Sequence, residues 1–209
     1  MMEPLTVRQW RAVPLTLALI ALSVLGFLLV YLHAPLSWVS ALTFSDFESD
    51  GRNIRFVAHQ GQYWRLLTPV FLHFSWLHIA FNSLWLWELG GKLELRLGSG
   101  MLVLLVIVIG IGSNAAQFLY SGPSLFGGMS GVVYGLLGYC WVLGALEPRL
   151  GLVLPQGIIW FMLLWLMFGL VMPTQMLGFG SIANGAHLGG LLLGCVAGLV
   201  SSAVRRFSP

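Results

Sequence analysis

Gly127-Gly128-Met129-Ser130-Gly131-Val132-Val133-Tyr134-Gly135-Leu136-Leu137-Gly138-Tyr139-Cys140-Trp141-Val142-Leu143-Gly144-Ala145-Leu146 is a glycine-rich turn that runs directly into an apolar stretch without one acidic or basic side chain. In a bilayer such a stretch is a helical crossing, slightly shorter than the roughly 20 residues a crossing normally takes. The turn delivers Ser130 to the mouth of that helix. Polar side chains are expensive inside hydrocarbon, and where they occur they face a protein interior or a water-filled cavity. Ser130 therefore directs attention to polar partners on other crossings.

The rest of the chain has the same character. Hydrophobic residues fill 58% of its 209 positions and charged residues 8%, against roughly 25% charged in an average soluble domain. That balance identifies a polytopic helical membrane protein. Windows of about 20 apolar residues fit at 12–32, 74–87 with the following turn, 101–120, 130–146, 152–172 and 181–204. These six windows consume nearly all of the sequence, so the expectation is an all-α membrane protein with six transmembrane helices. One membrane domain over 1–209 is expected, with no appended soluble domain. The first window begins too close to Pro14 and runs too long for a cleaved signal, and is read as a retained helix. Cys140 and Cys195 both lie in apolar runs, where a thiol packs as a small hydrophobe rather than forming a disulfide or holding a metal.

With the N-terminus in the cytoplasm, the inner segments carry Arg8, Arg11, Lys92, Arg96, Arg149, Arg205 and Arg206, and the outer ones carry Arg52, Arg55 and Arg65. Positive charge concentrates on the cytoplasmic side of membrane proteins, so both termini are expected there. The net charge of +3 and pI near 9.2 thus reflect topology and give no support to a nucleic-acid partner. Segment 34–73 is the long connection, and it mixes Asp46, Glu48, Asp50, Gly51 and Arg52 with Trp38, Phe44, Phe47, Phe56, Tyr63 and Trp64. A loop of that composition is expected to fold partly into the membrane interface instead of hanging as a flexible linker. The outer segments 121–129 and 173–180 carry no charge and are rich in Gly, Pro and Ser, a composition typical of mobile connections.

On this topology the second, fourth and sixth crossings run from outside to inside, each with polar groups near its outer end. At 1.5 Å per residue, His78 lies about 6 Å and Asn82 about 12 Å below a second-span start at Phe74, and His187 about 9 Å below Ser181. Three helices can converge on one shallow site. Each residue has a plain structural role beside a chemical one. Ser130 serves as an N-cap or as a nucleophile, and Gly127 and Gly128 favour the second because they let backbone approach a substrate and offer N–H donors. His187 is a packed helix histidine or a base. Together, Ser130 and His187 make a nucleophile with its base, and intramembrane proteolysis is the leading reading.

His78 and Asn82, four apart, share one face of the second helix. They either link helices by hydrogen bonds or donate to the oxyanion that forms when a hydroxyl attacks a carbonyl. Tyr134, one turn after Ser130, is a core aromatic or a ring that orients His187. No acidic residue lies in the outer half of any span, so the economical arrangement is a Ser–His dyad. Without His-Glu-x-x-His or an outer cluster of carboxylates, zinc and aspartyl mechanisms lose support. Gly185, Gly189, Gly190 and Gly194 let the sixth helix approach a neighbour closely. Ser113, Asn114 and Gln117 read as interhelical hydrogen-bonders, Glu94 and Arg96 as residues that order the inner loop.

Several separated strings occur in the order seen in bacterial rhomboid serine proteases. They are Trp64-Arg65, His73-Phe74-Ser75 followed by His78 and Asn82, Gly90-Gly91 with Glu94 and Arg96-Leu97-Gly98-Ser99-Gly100, Gly127 to Tyr134, and Ala183-Asn184-Gly185-Ala186-His187. Over 63–199 the chain closely resembles the minimal six-helix form of that family, and the first helix and most of the long loop match only in placement. The resemblance implies an ATP-independent protease without cofactor or metal, set in the bacterial inner membrane with its site opening outward. It would cut single-span or other transmembrane proteins in or near their membrane segments. It casts Ser130 as nucleophile, His187 as general base, and His78, Asn82 and the Ser130 backbone N–H as the oxyanion hole. Phe81 and Trp165 occupy positions like those of the family's aromatic substrate gate, and a small residue is expected before the cleaved bond. The loop before the sixth helix is slightly longer here than the family pattern.

Rival readings are a catalytically inactive rhomboid-like module that binds or chaperones membrane segments, and a channel or transporter. Filled positions at Ser130 and His187 count against the first. The second lacks an evident inverted repeat or an intramembrane carboxylate pair.

Overall fold

Apolar runs that cannot leave backbone groups unpaired in hydrocarbon must become helices, and a computed structural model, which describes residues 12–57, 61–171 and 182–207, shows an all-α bundle of this kind. Helix α1 (Pro14–Tyr31) leads to a short α2 (Leu36–Leu42), a hairpin of β1 (Asp46–Ser49) with β2 (Ile54–Val57), and 3-10 turns at Tyr63–Leu66 and Thr68–Phe71. Then come α3 (Trp76–Trp85), a π-helical turn (Leu86–Gly90), α4 (Gly91–Leu97), α5 (Ser99–Ser121), α6 (Ser130–Leu146), α7 (Gln156–Val171) and α8 (Asn184–Phe207). Helices α1, α5 and α8 are each long and apolar enough to cross a membrane, and α6 and α7 are shorter apolar helices. Wide apolar faces, including Leu104, Ile107 and Val108 on α5 and Leu192, Val196 and Leu199 on α8, remain exposed, as lipid-facing surfaces are.

The second crossing departs from its expected limits. Instead of ending near residue 87, the helical path continues through the π turn and α4 to Leu97. The expected outer end of the fifth crossing at 172, the start of the sixth at 181 and the loop 173–180 lie outside the described residues; α7 begins at Gln156 just after Pro155, four residues later than expected.

Segment 34–73 is folded throughout its described part, and it includes strands that an all-helical reading does not contain. Phe47 pairs with Phe56 and Glu48 with Arg55 across an antiparallel ladder. Asp50 closes the turn by accepting from the N–H groups of Arg52 at 2.8 Å and Asn53 at 2.7 Å, while Gly51 takes the positive φ of 86° that a side chain would resist. Arg65, counted in the sequence as an outer charge, is instead 7% exposed. It donates to the carbonyls of Ser40 and Thr43 and pairs with Asp46 at 3.3 Å, holding α2 and β1 to the chain that precedes α3. Asn114 on α5 reaches the same segment, donating to Leu66 O at 2.9 Å.

At the opposite end, the Glu94 carboxylate accepts from Leu15 N and Thr16 N at 2.8 Å and from Thr16 Oγ1 and Ser99 Oγ at 2.7 Å. The first N–H groups of a helix lack intrahelical acceptors and attract a negative charge. Glu94 thus fixes the start of α1 to the α4–α5 corner. Ser113 Oγ, expected to bond between helices, donates to Gly110 O of its own helix at 3.1 Å instead.

The most intimate packing joins α6 to α8. A Cβ on Gly190 would overlap the Gly131 carbonyl oxygen, and one on Gly194 would overlap that of Gly135. Small residues four apart on both helices let the backbones touch. The register of this seam sets Ser130, one residue before Gly131, opposite the turn containing His187, three residues before Gly190.

Candidate active site

Ser130 is the first residue of α6, and its side chain does not cap the helix. The residue before it, Met129, forms the helix boundary without a side-chain cap. Ser130 Oγ lies 2.7 Å from His187 Nε2. His187 is 7% exposed, and the Tyr134 ring lies against its imidazole at a centroid distance of 4.8 Å and an interplanar angle of 34°. Tyr134 Oη donates to Met162 O on α7 at 2.9 Å, so the ring is held from both ends. On α8, Ala186 N donates to Gln117 Oε1 of α5 at 3.1 Å, which satisfies an orphan donor of the first turn directly beside His187.

The two glycines before Ser130 are there because of close approach. A Cβ at Gly127 would lie 2.9 Å from the carbonyl oxygens of Pro69 and Leu72, and one at Gly128, whose φ is +113°, would lie 2.5 Å from His78 Cε1 and Nε2. Gly128 N donates to Pro69 O at 2.9 Å. The turn is thus folded over the 69–72 segment with the His78 ring pressed against it. The early N–H groups of α6, Ser130 included, point out of the helix mouth with the positive end of its dipole.

Helix α3 brings His78 and Asn82 to the same cavity. Ser75 caps α3, its Oγ accepting from His78 N at 3.3 Å. Asn82 is 4% exposed and donates through Nδ2 to the His78 carbonyl at 2.9 Å; its amide carries a second N–H. One residue has a larger part than its place in a sequence string suggests. His73 is fully buried, its Nδ1 lies 3.1 Å from Phe71 O, and its Nε2 accepts from Met129 N at 3.4 Å. A single tautomer, protonated on Nδ1, satisfies both contacts. His73 therefore supports the residue immediately before Ser130, and its ring lies 4.8 Å from that of His78.

These groups line a cavity of about 470 Å³, within the range of small-molecule and peptide side-chain sites. Ser130, His187, His78, Asn82 and Tyr134 form its polar part, and Phe81, Trp85, Phe161, Met162 and Trp165 its apolar flank between α3 and α7. Across that flank Phe81 faces Trp165 at 6.2 Å and Trp85 faces Phe161 at 5.9 Å between ring centroids. Among the described residues, no three His, Cys, Asp or Glu side chains gather as a metal-ligand group.

Against known proteins, the sequence model of the Rhomboid domain family matches residues 60–204. The chain is 45% identical over 184 residues to Rhomboid protease GlpG of Serratia proteamaculans (strain 568), covering 88% of this chain and 61% of that protein. It is 46% identical over 139 residues to Rhomboid protease GlpG of Salmonella choleraesuis (strain SC-B67), covering 66% of this chain and 49% of that protein. It spans about half to three-fifths of the length of these curated relatives. The chain belongs to the rhomboid family, as an all-α membrane bundle.

Proposed function

We propose that this protein is an intramembrane serine endopeptidase that cleaves peptide bonds in or near the membrane segments of other proteins. The observation that carries the reading is the 2.7 Å approach of Ser130 Oγ to His187 Nε2 beside a cavity bordered by polar groups on one side and aromatic rings on the other. Its relatives are named as proteases, which supports the same conclusion. The chain acts as one membrane domain, with both termini in the cytoplasm and the cavity opening outward. Helix α6 has 17 residues, about 26 Å at 1.5 Å each, against about 30 Å of hydrocarbon. With its inner end at the cytoplasmic boundary, Ser130 lies a few ångströms below the outer surface, within reach of water.

In the reaction, His187 Nε2 accepts the Ser130 proton as Oγ bonds to the scissile carbonyl carbon, and the carbonyl oxygen becomes an oxyanion. The tetrahedral species expels the amine, which takes the proton from His187, and leaves an acyl-Ser130 ester. A water molecule, deprotonated by His187, attacks that ester; the C–Oγ bond breaks, His187 returns the proton to Oγ, and the product leaves with its new carboxyl group. The Ser130 N–H, the His78 ring and the free N–H of Asn82 stabilise the oxyanion, while Tyr134 keeps the imidazole in its plane. Purified protein in proteoliposomes, incubated with labelled single-span proteins and followed by mass spectrometry of the fragments, tests this directly. Intact substrate with no fragments above background defeats the proposal.

The oxyanion assignment has its own signature. Asn82→Ala and His78→Ala are expected to lower kcat far more than they raise KM, because the donors meet full negative charge only in the transition state. Loss of one such donor costs about 2.7–4 kcal/mol where it has been measured, less where a neighbour covers for it. Steady-state kinetics on both variants decide the matter, and a change confined to KM removes the two residues from this role.

Phe81 and Trp165 close the cavity toward the lipid, so a membrane-embedded substrate has to pass between α3 and α7. Phe81→Ala and Trp165→Ala are expected to accelerate cleavage of a full transmembrane substrate more than that of a short soluble peptide, which reaches Ser130 from the aqueous side. Both rings are partly exposed, so the stability penalty stays below the roughly 3–5 kcal/mol of a truncated core aromatic. Equal acceleration of both substrates in parallel assays would place the effect in the site and not at the gate.

A further inference from the structure

The geometry points to Asn184 as a positioning residue that latches α7 to α8 beside Ser130 and His187, and so governs the passage of a membrane-embedded segment into the cavity without entering the bond-breaking chemistry. The inference rests on the proteolytic reading above. Helix α7 is attached by a narrow stripe: Ile159, Met162, Leu166 and Gly169 are buried, whereas Trp160, Phe161, Leu164 and Met167 are exposed. Asn184 Nδ2 donates to Gly169 O at 2.7 Å. Gly169 permits that approach, since a Cβ there would lie 2.9 Å from Asn184 Oδ1 and 3.3 Å from Ile182 Cγ2. The bond fastens α7 one turn beyond Trp165, the ring that meets Phe81 across the cavity's apolar flank.

When the latch is released, the outer turns of α7 beyond Met162 are the part free to move, because Tyr134 Oη still holds Met162 O at 2.9 Å. The first turn of α8 is held separately by Gln117 through Ala186 N, and the rest of α8 is locked to α6 where the backbones of Gly190 and Gly131 touch. His187 therefore keeps its place, with the Tyr134 ring against it, while the outer turns of α7 swing. Strengthening or weakening the latch changes how often the flank opens, and leaves unaltered the distance between Ser130 Oγ and His187 Nε2.

The test uses the full-length chain in proteoliposomes, comparing the parent with Asn184→Ala and with Gly169→Ala, which attacks the same contact from the other helix. Three rates are measured: cleavage of a labelled single-span protein, cleavage of a short soluble peptide, and labelling of Ser130 by a fluorophosphonate. Loss of one hydrogen bond predicts about a fivefold gain in single-span cleavage, with peptide cleavage and labelling unchanged. Parallel changes in all three rates, or no gain with the single-span protein, overturn the latch. A readout independent of catalysis comes from nitroxide labels at Leu164→Cys and Leu192→Cys, both on exposed faces, in a background lacking Cys140 and Cys195. Pulsed electron resonance is expected to show a broader α7–α8 distance distribution in the Asn184→Ala protein, and an unaltered distribution overturns the proposal. A broadened distribution in a protein whose parent neither cleaves nor labels leaves the latch standing and defeats the proteolytic reading instead.

Discussion

Ser130→Ala is expected to reduce turnover to background while the protein stays folded. The oxygen removed is the proposed attacking atom, 2.7 Å from His187 Nε2, so the proposed acyl transfer loses its nucleophile rather than a supporting interaction. In a well-studied serine protease such a loss lowers kcat by about 10⁶-fold. The fold has little stake in the hydroxyl. It does not cap α6, and the α6–α8 seam is made by the backbones of Gly131, Gly135, Gly190 and Gly194. What is lost is one hydrogen bond, about 1 kcal/mol, together with a further 1–3 kcal/mol if His187 Nε2 is left without a partner. Fragment yield from a single-span substrate and the thermal unfolding midpoint of the purified variant are the two measurements. Retained turnover at more than trace level would remove Ser130 from the nucleophile's role, and a collapsed midpoint would show that the hydroxyl is structural.

The parts of this molecule that the sequence makes legible are those governed by local composition. Charge-free apolar runs announce the crossings, Gly127-Gly128 before Ser130 marks a turn that must pass close to something, and glycines four apart around His187 announce a helix that touches its neighbour. The parts it conceals depend on distant partners. His73 looks like one more histidine in a loop until the 127–129 turn folds over the 69–72 segment and brings Met129 N to its ring. Arg65 counts as an outer charge in any topology rule, yet it is buried against the carbonyls of Ser40 and Thr43. The hairpin leaves only a faint trace, because its strands are four residues each and the Asp50-Gly51 turn signal sits among charged residues that also read as plain loop. The second crossing is expected to end near residue 87 with the following turn, but the π turn carries the helix on, and Glu94 beyond it holds the start of α1. Asn184 belongs to the same concealed group. It is one more polar residue in a glycine-rich string until the carbonyl of Gly169 is found 2.7 Å away.

His187→Ala is expected to slow fluorophosphonate labelling of Ser130 by about 10²–10⁴-fold, the usual contribution of a positioned general base. Labelling isolates the step of interest because the reagent is small and attack on phosphorus needs only an activated hydroxyl, whereas substrate passage between α3 and α7 and peptide binding do not enter. Without the imidazole, the Ser130 proton loses its proposed acceptor: His78 and Asn82 are arranged as donors in the proposed mechanism, Tyr134 Oη is engaged with Met162 O, and among the described residues no carboxylate lines the cavity. The helix itself is secured by contacts that the substitution does not touch, including the Gln117 cap on Ala186 N and the glycine seam. Hence a slow variant with parental stability assigns the base to His187. Equal labelling rates in variant and parent would mean that Ser130 is activated by something else, and would separate the 2.7 Å contact from the chemistry it is proposed to serve.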